Sequence, residues 1–488
     1  MPLSFRIFKD DDAPLYVQAA SAIRGGILDG SLRSGDRLPS VRKLSDELGV
    51  NPATVVAAYR ILTSEGLLQA RHGSGAFVAE TALAAPALTS SALSAVPGIL
   101  RESAGAGTLV DMAANAPPRD LYPLDQVKRF MVEAIDMDGG QAFDYQQPAG
   151  YPPLREALVQ SLSFLPVASR PGPNDVHVVS GAQQGLDLAA RILLRPGDVA
   201  AVESPGYPGA RTAFLAAGAR VAPLELKPEG LDLSALEKLA ASRPLRLVYV
   251  NPDFQNPTGR LYTAENRERL ASLAARYGFY VIEDDLFSDL AYSGTRTDPV
   301  LAYDKAGVVL YVKSFSKILM PGLRIACLVS PAPFRERLEA AKRSVDLSSN
   351  GLMQRVLERF ITSGSLDSHL VQARARYRQA RDAFASGLSS SGIDEVTGLR
   401  WERPEGGINA WLELPESFSG REVTTGCFQR ACAVLPEADF LQGGETPVGA
   451  DRHLRVSFGS PPLEDACKGS RLIVETLSSL SQATGKRL

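Results

Sequence analysis

Cysteine and histidine are scarce, four of each in 488 residues, and neither is clustered. Cys327, Cys427, Cys432 and Cys467 include no C-x-x-C pair, which argues against a disulfide framework or a zinc ribbon and leaves them as small core residues. His72, His177, His369 and His453 lie far apart, so no metal site is expected. Net charge is nearly absent too: a formal −3 gives no bulk attraction to nucleic acid or membrane, and any such partner must be argued from a local patch. No segment reaches the roughly 18 uninterrupted apolar residues of a spanning helix. The opening MPLSFRIFKDDD has no apolar h-region and no cleavage-site pattern, so the expectation is a cytoplasmic chain without a membrane partner.

The chain is long for one ordinary core, since domains average roughly 100 to 200 residues. It shows no internal repeat. Its clearest change in composition is residues 79–108, AETALAAPALTSSALSAVPGILRESAGAGT, which reads as a flexible linker. The expected organisation is a compact unit at 13–78, this linker, and a body at 109–480.

In the first unit, PLYVQAASAIRGGILDG sets Leu15, Ala19, Ile23 and Ile27 on one stripe, between Pro14 and Gly30. LPSVRKLSDELGV offers Ser40 as an N-cap, Val41, Leu44 and Leu48 on one face, and Gly49 as the stop. After a tight turn, NPATVVAAYRILTSEG has Asn51 as cap, Pro52 at the first helical position, and Val55, Tyr59 and Leu62 facing inward. LLQARHGSGAFVA then reads as a two-stranded wing. Two helices joined by such a turn form a helix-turn-helix, whose second helix enters the major groove of double-stranded DNA. The candidates for DNA contact are Ser40, Arg42, Asn51 and Thr54, with His72 and Gly73 at the wing tip. Seven Lys and Arg stand against five Asp and Glu from Ala13 to Val78, so charge alone does not reveal the site, and winged units also mediate protein contacts. Along its whole length the segment resembles the winged helix of GntR-type bacterial transcription regulators. Many members of that family carry arginine where Pro52 stands, so base reading is expected to lean on Arg42, Asn51, Thr54 and the wing.

From about residue 176, short apolar strands alternate with helical segments. This is the pattern of an α/β fold around a mostly parallel sheet flanked by helices, with a smaller C-terminal α+β part. Ligands of such sheets sit beyond the strand ends. VHVVSGAQQG ends in Ser180, Gly181, Ala182 and Gln183 at a helix start whose amides suit a phosphate. VAAVESPGYPG presents Tyr207, a ring suited to lie on a planar heterocycle. LRLVYVNPDFQNPTG carries Asn256, FYVIEDDLF carries Asp284, and VVLYVKSFSK ends in Lys317. These are the groups pyridoxal 5'-phosphate requires: a lysine for its aldehyde, an acid for its pyridine nitrogen, a donor for its phenolic oxygen, and amides, hydroxyls and an arginine for its phosphate. Lys317 is therefore expected to form the imine, Asp284 to pair with the ring nitrogen and Asn256 with the phenolic oxygen. Ser180, Ser314 and Arg324 are expected on the phosphate. Each alone has a duller reading, as surface lysine, helix cap or core ring; their occurrence at successive strand ends is what singles them out.

YVNPDFQNPTG, VIEDD, SFSKILMPGLR and LRVSFG are similar to motifs of fold-type I aminotransferases, over roughly residues 109–480. That resemblance implies that Arg455 binds the carboxylate of an amino ligand, and that Tyr145 reaches the phosphate in the neighbouring subunit. A GntR-like head on such a body resembles the MocR (GabR-like) family of regulators. The resemblance implies homodimers, often head-to-tail, on repeated half-sites, responding to the cofactor or to an amino compound bound with it. One departure stands out: relatives commonly place a tyrosine two or three residues after the aspartate, where this chain has Leu286 and Phe287, leaving Tyr292 or another group to supply the hydroxyl. Two functions follow. One is a regulator whose body is a sensor; the other is a working aminotransferase with an accessory DNA-binding head.

Overall fold

The structure is a computed structural model of the chain. It describes residues 15, 16, 18–20, 23, 32, 35–64, 68–71, 75–79, 109–391, 398–441 and 451–484. The chain divides into two units that part between Thr89 and Ser90.

In the N-terminal unit the described residues from 15 to 23 are helical, with Ala19, Ala20 and Ile23 buried. Ile27, the last member of the expected stripe, lies outside the described residues. Helix α1, Val41–Leu48, starts where the Ser40 hydroxyl accepts from the Lys43 amide at 3.3 Å, and stops at Gly49, whose φ of 62° favours glycine. Helix α2, Pro52–Ser64, begins at Asn51, whose side-chain oxygen accepts from the Ala53 amide at 2.9 Å. Val55, Tyr59 and Leu62 turn inward to join Leu38, Leu44 and Leu68 in the core, and the Tyr59 hydroxyl donates to the Pro39 carbonyl at 2.8 Å. Strands β1 (Leu68–Arg71) and β2 (Gly75–Val78) pair antiparallel as the wing. His72 and Gly73 at its tip lie outside the described residues, as does the expected linker from 80 to 108.

The second unit opens with β3 (Val110–Asp111) and is built around β4 (Val176–Val179), β5 (Val199–Ser204), β6 (Arg220–Lys227), β7 (Gly230–Leu231), β8 (Leu245–Val250), β9 (Tyr280–Asp285), β10 (Val309–Ser314) and β11 (Ala326–Val329). These eight form one sheet in the order β4-β11-β10-β9-β8-β5-β6-β7. Neighbours from β10 through β6 run parallel; β11 runs against both β10 and β4, and the short β7 against β6. The mostly parallel sheet expected from the alternating pattern is present.

Buried on both faces, the strands feed two cores by alternation. Leu247, Tyr249, Ile282, Leu310 and Val312 pack with Leu186 and Leu193 of the helix Ala182–Leu193. Val248, Val281, Val309 and Tyr311 go to the opposite core with Leu270 and Phe360. Tyr249, Asp284 and Ser314 thereby share one face, which positions the site. The C-terminal part is an antiparallel sheet of β12 (Arg400–Trp401), β13 (Ala410–Glu413), β16 (His453–Val456) and β15 (Leu435–Pro436), in that order. Between β13 and β15 in sequence, β14 (Cys432–Ala433) pairs parallel with β3. The helices Ser365–Ser390 and Leu463–Thr484 contribute Phe384, Ile473 and Leu477 to its core. Among the described residues no helix is long and apolar enough to cross a membrane.

Candidate functional site

The parallel strands bring their C-terminal ends to one edge of the sheet, and β11, running the other way, starts there. Ser314 pairs with Ala326, so Arg324, two residues before β11, stands beside the end of β10. A cavity of about 860 Å³ opens at this edge. Lys317 and Arg324 line it, as do Ala182, Gln183, Tyr207, Asn256, Asp284 and Ser314, and Arg455 enters from β16. Ser180, Gly181 and Tyr145 are not among its lining residues. The Ser180 hydroxyl donates to Asp346 Oδ2 at 3.2 Å, while its carbonyl accepts from Arg324 Nη2 at 2.8 Å. Gly181 has φ +97°, and a Cβ there would stand 2.7 Å from Arg324 Nη2, so only glycine lets the guanidinium lie against this turn. Tyr145 is 84% exposed.

Asp284 is the clearest test of fit for the cofactor. Its Oδ2 accepts from the Tyr249 hydroxyl at 2.8 Å, whereas its buried Oδ1 has no partner. Burial pushes the carboxyl up to about 7, against the Tyr249 hydrogen bond, with Asp285 and Glu203 adding to the rise and Lys317 opposing it. A buried acceptor without a donor, lining a cavity, suits the N–H of a protonated pyridine ring. The helix Ala182–Leu193 starts with no side chain capping its first amides, beside the Arg324 guanidinium, and such an end suits a phosphate. The residues present therefore fit pyridoxal 5'-phosphate.

The cations are tuned by burial. Lys317 is pushed down to about 8, first by burial and then by Arg455 and Arg324, with Asp284 opposing. Its amine donates to the Asn115 carbonyl. Burial pushes Arg455 down to about 10, with Asp111 and Asp439 opposing. Arg455 Nη1 donates to Asn256 Oδ1 at 3.4 Å, Nη2 to the Ala113 carbonyl, and its guanidinium lies 5.2 Å from the Phe440 ring centre. Its buried Nε has no partner. Tyr207 is held by donation to Gln183 Oε1 at 3.0 Å, and burial pushes its hydroxyl up to about 12.

Beneath the cavity lies a buried network that the sequence did not reveal. Glu203 Oε1 accepts from the Tyr262 hydroxyl at 2.6 Å and the Asn251 amide at 2.9 Å, and Oε2 accepts from Gln255 Nε2 at 2.9 Å. Asn251 then donates from Nδ2 to the Asp284 carbonyl at 2.6 Å and accepts from the Asn256 amide at 2.8 Å. One carboxylate thus fixes the loop carrying Asn256 and the strand carrying Asp284. Burial pushes Glu203 up to about 7 despite its three hydrogen bonds. Tyr249, Asn251 and Asn115 also line the cavity and were missed from sequence. A signal was available for Tyr249: a tyrosine one residue before the end of the strand LRLVYV, beside the strand that carries Asp284.

At the two positions where the resemblance leads us to expect a tyrosine, Leu286 lines the cavity and Phe287 is buried. Tyr292 does not fill that role, because its hydroxyl donates to the Gly407 carbonyl at 2.7 Å and it is not a lining residue. In the N-terminal unit, Ser40, Arg42 and Asn51 are exposed and Thr54 is half-buried. Ser40 and Asn51 both spend side-chain acceptors on capping their helices.

Comparison with known proteins divides the chain the same way. The family described as Aminotransferase class I and II matches residues 108–465, and Bacterial regulatory proteins, gntR family, matches residues 15–78. The probable rhizopine catabolism regulatory protein MocR of Rhizobium meliloti is 31% identical, over 94% of this chain and 91% of that protein. The uncharacterized HTH-type transcriptional regulator YisV of Bacillus subtilis is 30% identical, over 97% of this chain and 98% of its own. The crystal structure of Pyrococcus horikoshii kynurenine aminotransferase in complex with PMP matches with a TM-score of 0.72 at 29% identity, covering 80% of this chain and 94% of that one.

Proposed function

We propose, from the premise that this chain belongs to the aminotransferase class I and II family and carries the DNA-binding unit of the gntR family of bacterial regulatory proteins, that it is a transcription regulator whose body senses an amino compound. It binds DNA through the N-terminal unit and pyridoxal 5'-phosphate through the body. The observation that carries this reading is the near full-length likeness to regulators that join both parts in one chain.

Lys317 would hold the cofactor covalently; its depressed pKa keeps part of the amine neutral and nucleophilic near neutral pH. Asp284 Oδ1 would accept from the ring nitrogen, with Oδ2 held by the Tyr249 hydroxyl and the backbone carbonyl of the same residue held by Asn251 Nδ2. Asn256 would face the phenolic oxygen, Tyr207 the ring, and Ala182, Gln183, Ser314 and Arg324 the phosphate. Bound there, the cofactor supplies an aldehyde that joins amines and a protonated ring that withdraws electrons. Arg455, with one nitrogen unpartnered, would take the carboxylate of an amino ligand. Residues 79–108 would join the two units in sequence.

The same proposal includes a homodimer that places two heads on repeated half-sites. The exposure of Met137 (77%), Phe143 (66%) and Tyr145 (84%) on one stretch of the body supports a second copy covering it. Sensing requires that ligand bind two arrangements of the protein unequally. The absence of a tyrosine hydroxyl at positions 286 and 287, with Tyr292 engaged elsewhere, favours sensing over efficient turnover. The test uses the cofactor-loaded chain, its own upstream DNA and a panel of amino acids. A shift in DNA binding without keto-acid formation supports the sensor; sustained keto-acid formation with DNA binding unaltered would show an aminotransferase with an accessory head.

A further inference from the structure

The outward face of α2 is apolar at its start, where a DNA reader would carry hydrogen-bonding groups, and polar only further along, at Arg60 and Thr63. Val55, Ala58, Tyr59 and Leu62 are buried, while Ala53, Val56, Arg60 and Thr63, three or four residues apart, are exposed. Val56 leaves 42% of its surface open, although it stands only one turn into a helix of a unit with an apolar core. The polar groups before it are few and partly engaged. Asn51 Oδ1 accepts from the Ala53 amide, Thr54 is half-buried, and Pro52 brings no donor. At the exposed positions that open that face, Ala53 and Val56, neither side chain can hydrogen-bond a base edge. Exposed cations flank it in sequence, Arg42 on α1 and Arg60 further along α2.

In a helix-turn-helix, residues near the N-terminus of the second helix meet base edges in the major groove. Every base presents hydrogen-bonding atoms there, but only thymine presents an apolar group, its C5-methyl. We propose that Val56, beside Ala53, is a specificity-determining residue that packs on a thymine methyl of the operator, so that α2 selects T·A pairs by apolar contact. A cytosine N4 amine or a guanine O6 set against this valine would lose its water and gain no partner. The inference rests on the N-terminal unit's binding DNA, and adds the base and the atom it reads. An exposed valine could instead dock on another protein surface, in which case DNA binding would not depend on that methyl.

The full-length chain loaded with pyridoxal 5'-phosphate is used to select binders from a randomised duplex library. The winning site is then remade with deoxyuridine in place of single thymidines, which removes only the methyl. Affinity should fall about fourfold at one or more thymines in each half-site, the worth of burying one methyl-sized group. Val56→Ala, shown to be folded by thermal melting, should bind the thymidine and deoxyuridine forms nearly alike. Equal affinity of the unaltered chain for both forms overturns the proposal, and so does a Val56→Ala chain that keeps the fourfold ratio. Selection that enriches no sequence also overturns it. In all three cases the regulator reading survives, because DNA is still bound; a chain that binds no DNA at all sinks both.

Discussion

The depressed pKa of Lys317 makes a quantitative prediction about how fast the cofactor attaches. An ordinary lysine titrates near 10.5, whereas burial, Arg455 and Arg324 bring this amine down to about 8. The attacking species is the neutral amine. At pH 7 its share is roughly one in ten for a pKa of 8 and roughly one in three thousand for 10.5, a gain of about 300-fold. Attachment to the cofactor-free chain should therefore quicken as pH rises from 6.5 and level off above about 8, not above 10. Arg455 is the largest charged contributor to the depression, so Arg455→Met should move the midpoint upward. A rise of half to one unit corresponds to attachment about 3- to 10-fold slower at pH 7 and little changed at pH 9.5. Stopped-flow absorbance on cofactor-free protein measures this directly, with Lys317→Ala as the blank. Titrations of the cofactor itself are common to both proteins and cancel in the comparison. A flat profile from pH 6.5 to 9.5, or identical midpoints in the two proteins, would refute the reasoning.

Further outcomes follow from the carboxylates at and below the cavity. Asp284→Asn removes the charge behind a hydrogen bond worth about 1.5–3 kcal/mol, so equilibrium dialysis should show the cofactor held about 10- to 100-fold more weakly; affinity within threefold of the parent would contradict the assignment. Because Asp284 has a carboxyl raised to about 7, cofactor affinity should be full above that pH and weaken as pH falls through it. Ionised Glu203 contributes to that rise, so Glu203→Gln should carry the weakening to lower pH, while loss of the bond from Gln255 costs about 1–3 kcal/mol in a melt. A melt that falls with no movement of the pH profile would leave Glu203 a purely structural residue.

Sequence reading located the reactive groups because a parallel sheet forces them to its strand ends. Lys317, Asp284 and Asn256 each follow or close an apolar run, and the fold needs only to align those runs to gather them at one cavity. What it missed lies inside strands or depends on distant partners. Tyr249 looks like core until β9 sets Asp284 beside it, and Glu203 becomes a keystone only when Tyr262, Asn251 and Gln255 converge on it. Ser180 follows its strand as a phosphate residue should, yet its hydroxyl turns to Asp346, far along the chain, where Lys342 also binds. Tyr292 carried the right hydroxyl, but the Gly407 carbonyl claims it. In the N-terminal unit the helices and wing were legible from caps and apolar spacing, whereas the apolar start of the outer face of α2 emerged only once burial divided Val55 from Val56.

Chemical mapping of the cofactor's attachment point bears most directly on the central claim. The purified full-length chain, saturated with pyridoxal 5'-phosphate, is reduced with borohydride, digested and sequenced by mass spectrometry. The peptide spanning SFSKILMPGLR should carry the phosphopyridoxyl group on Lys317 at close to one per chain. The group found on another lysine, or on none, would contradict the sensor and aminotransferase readings alike.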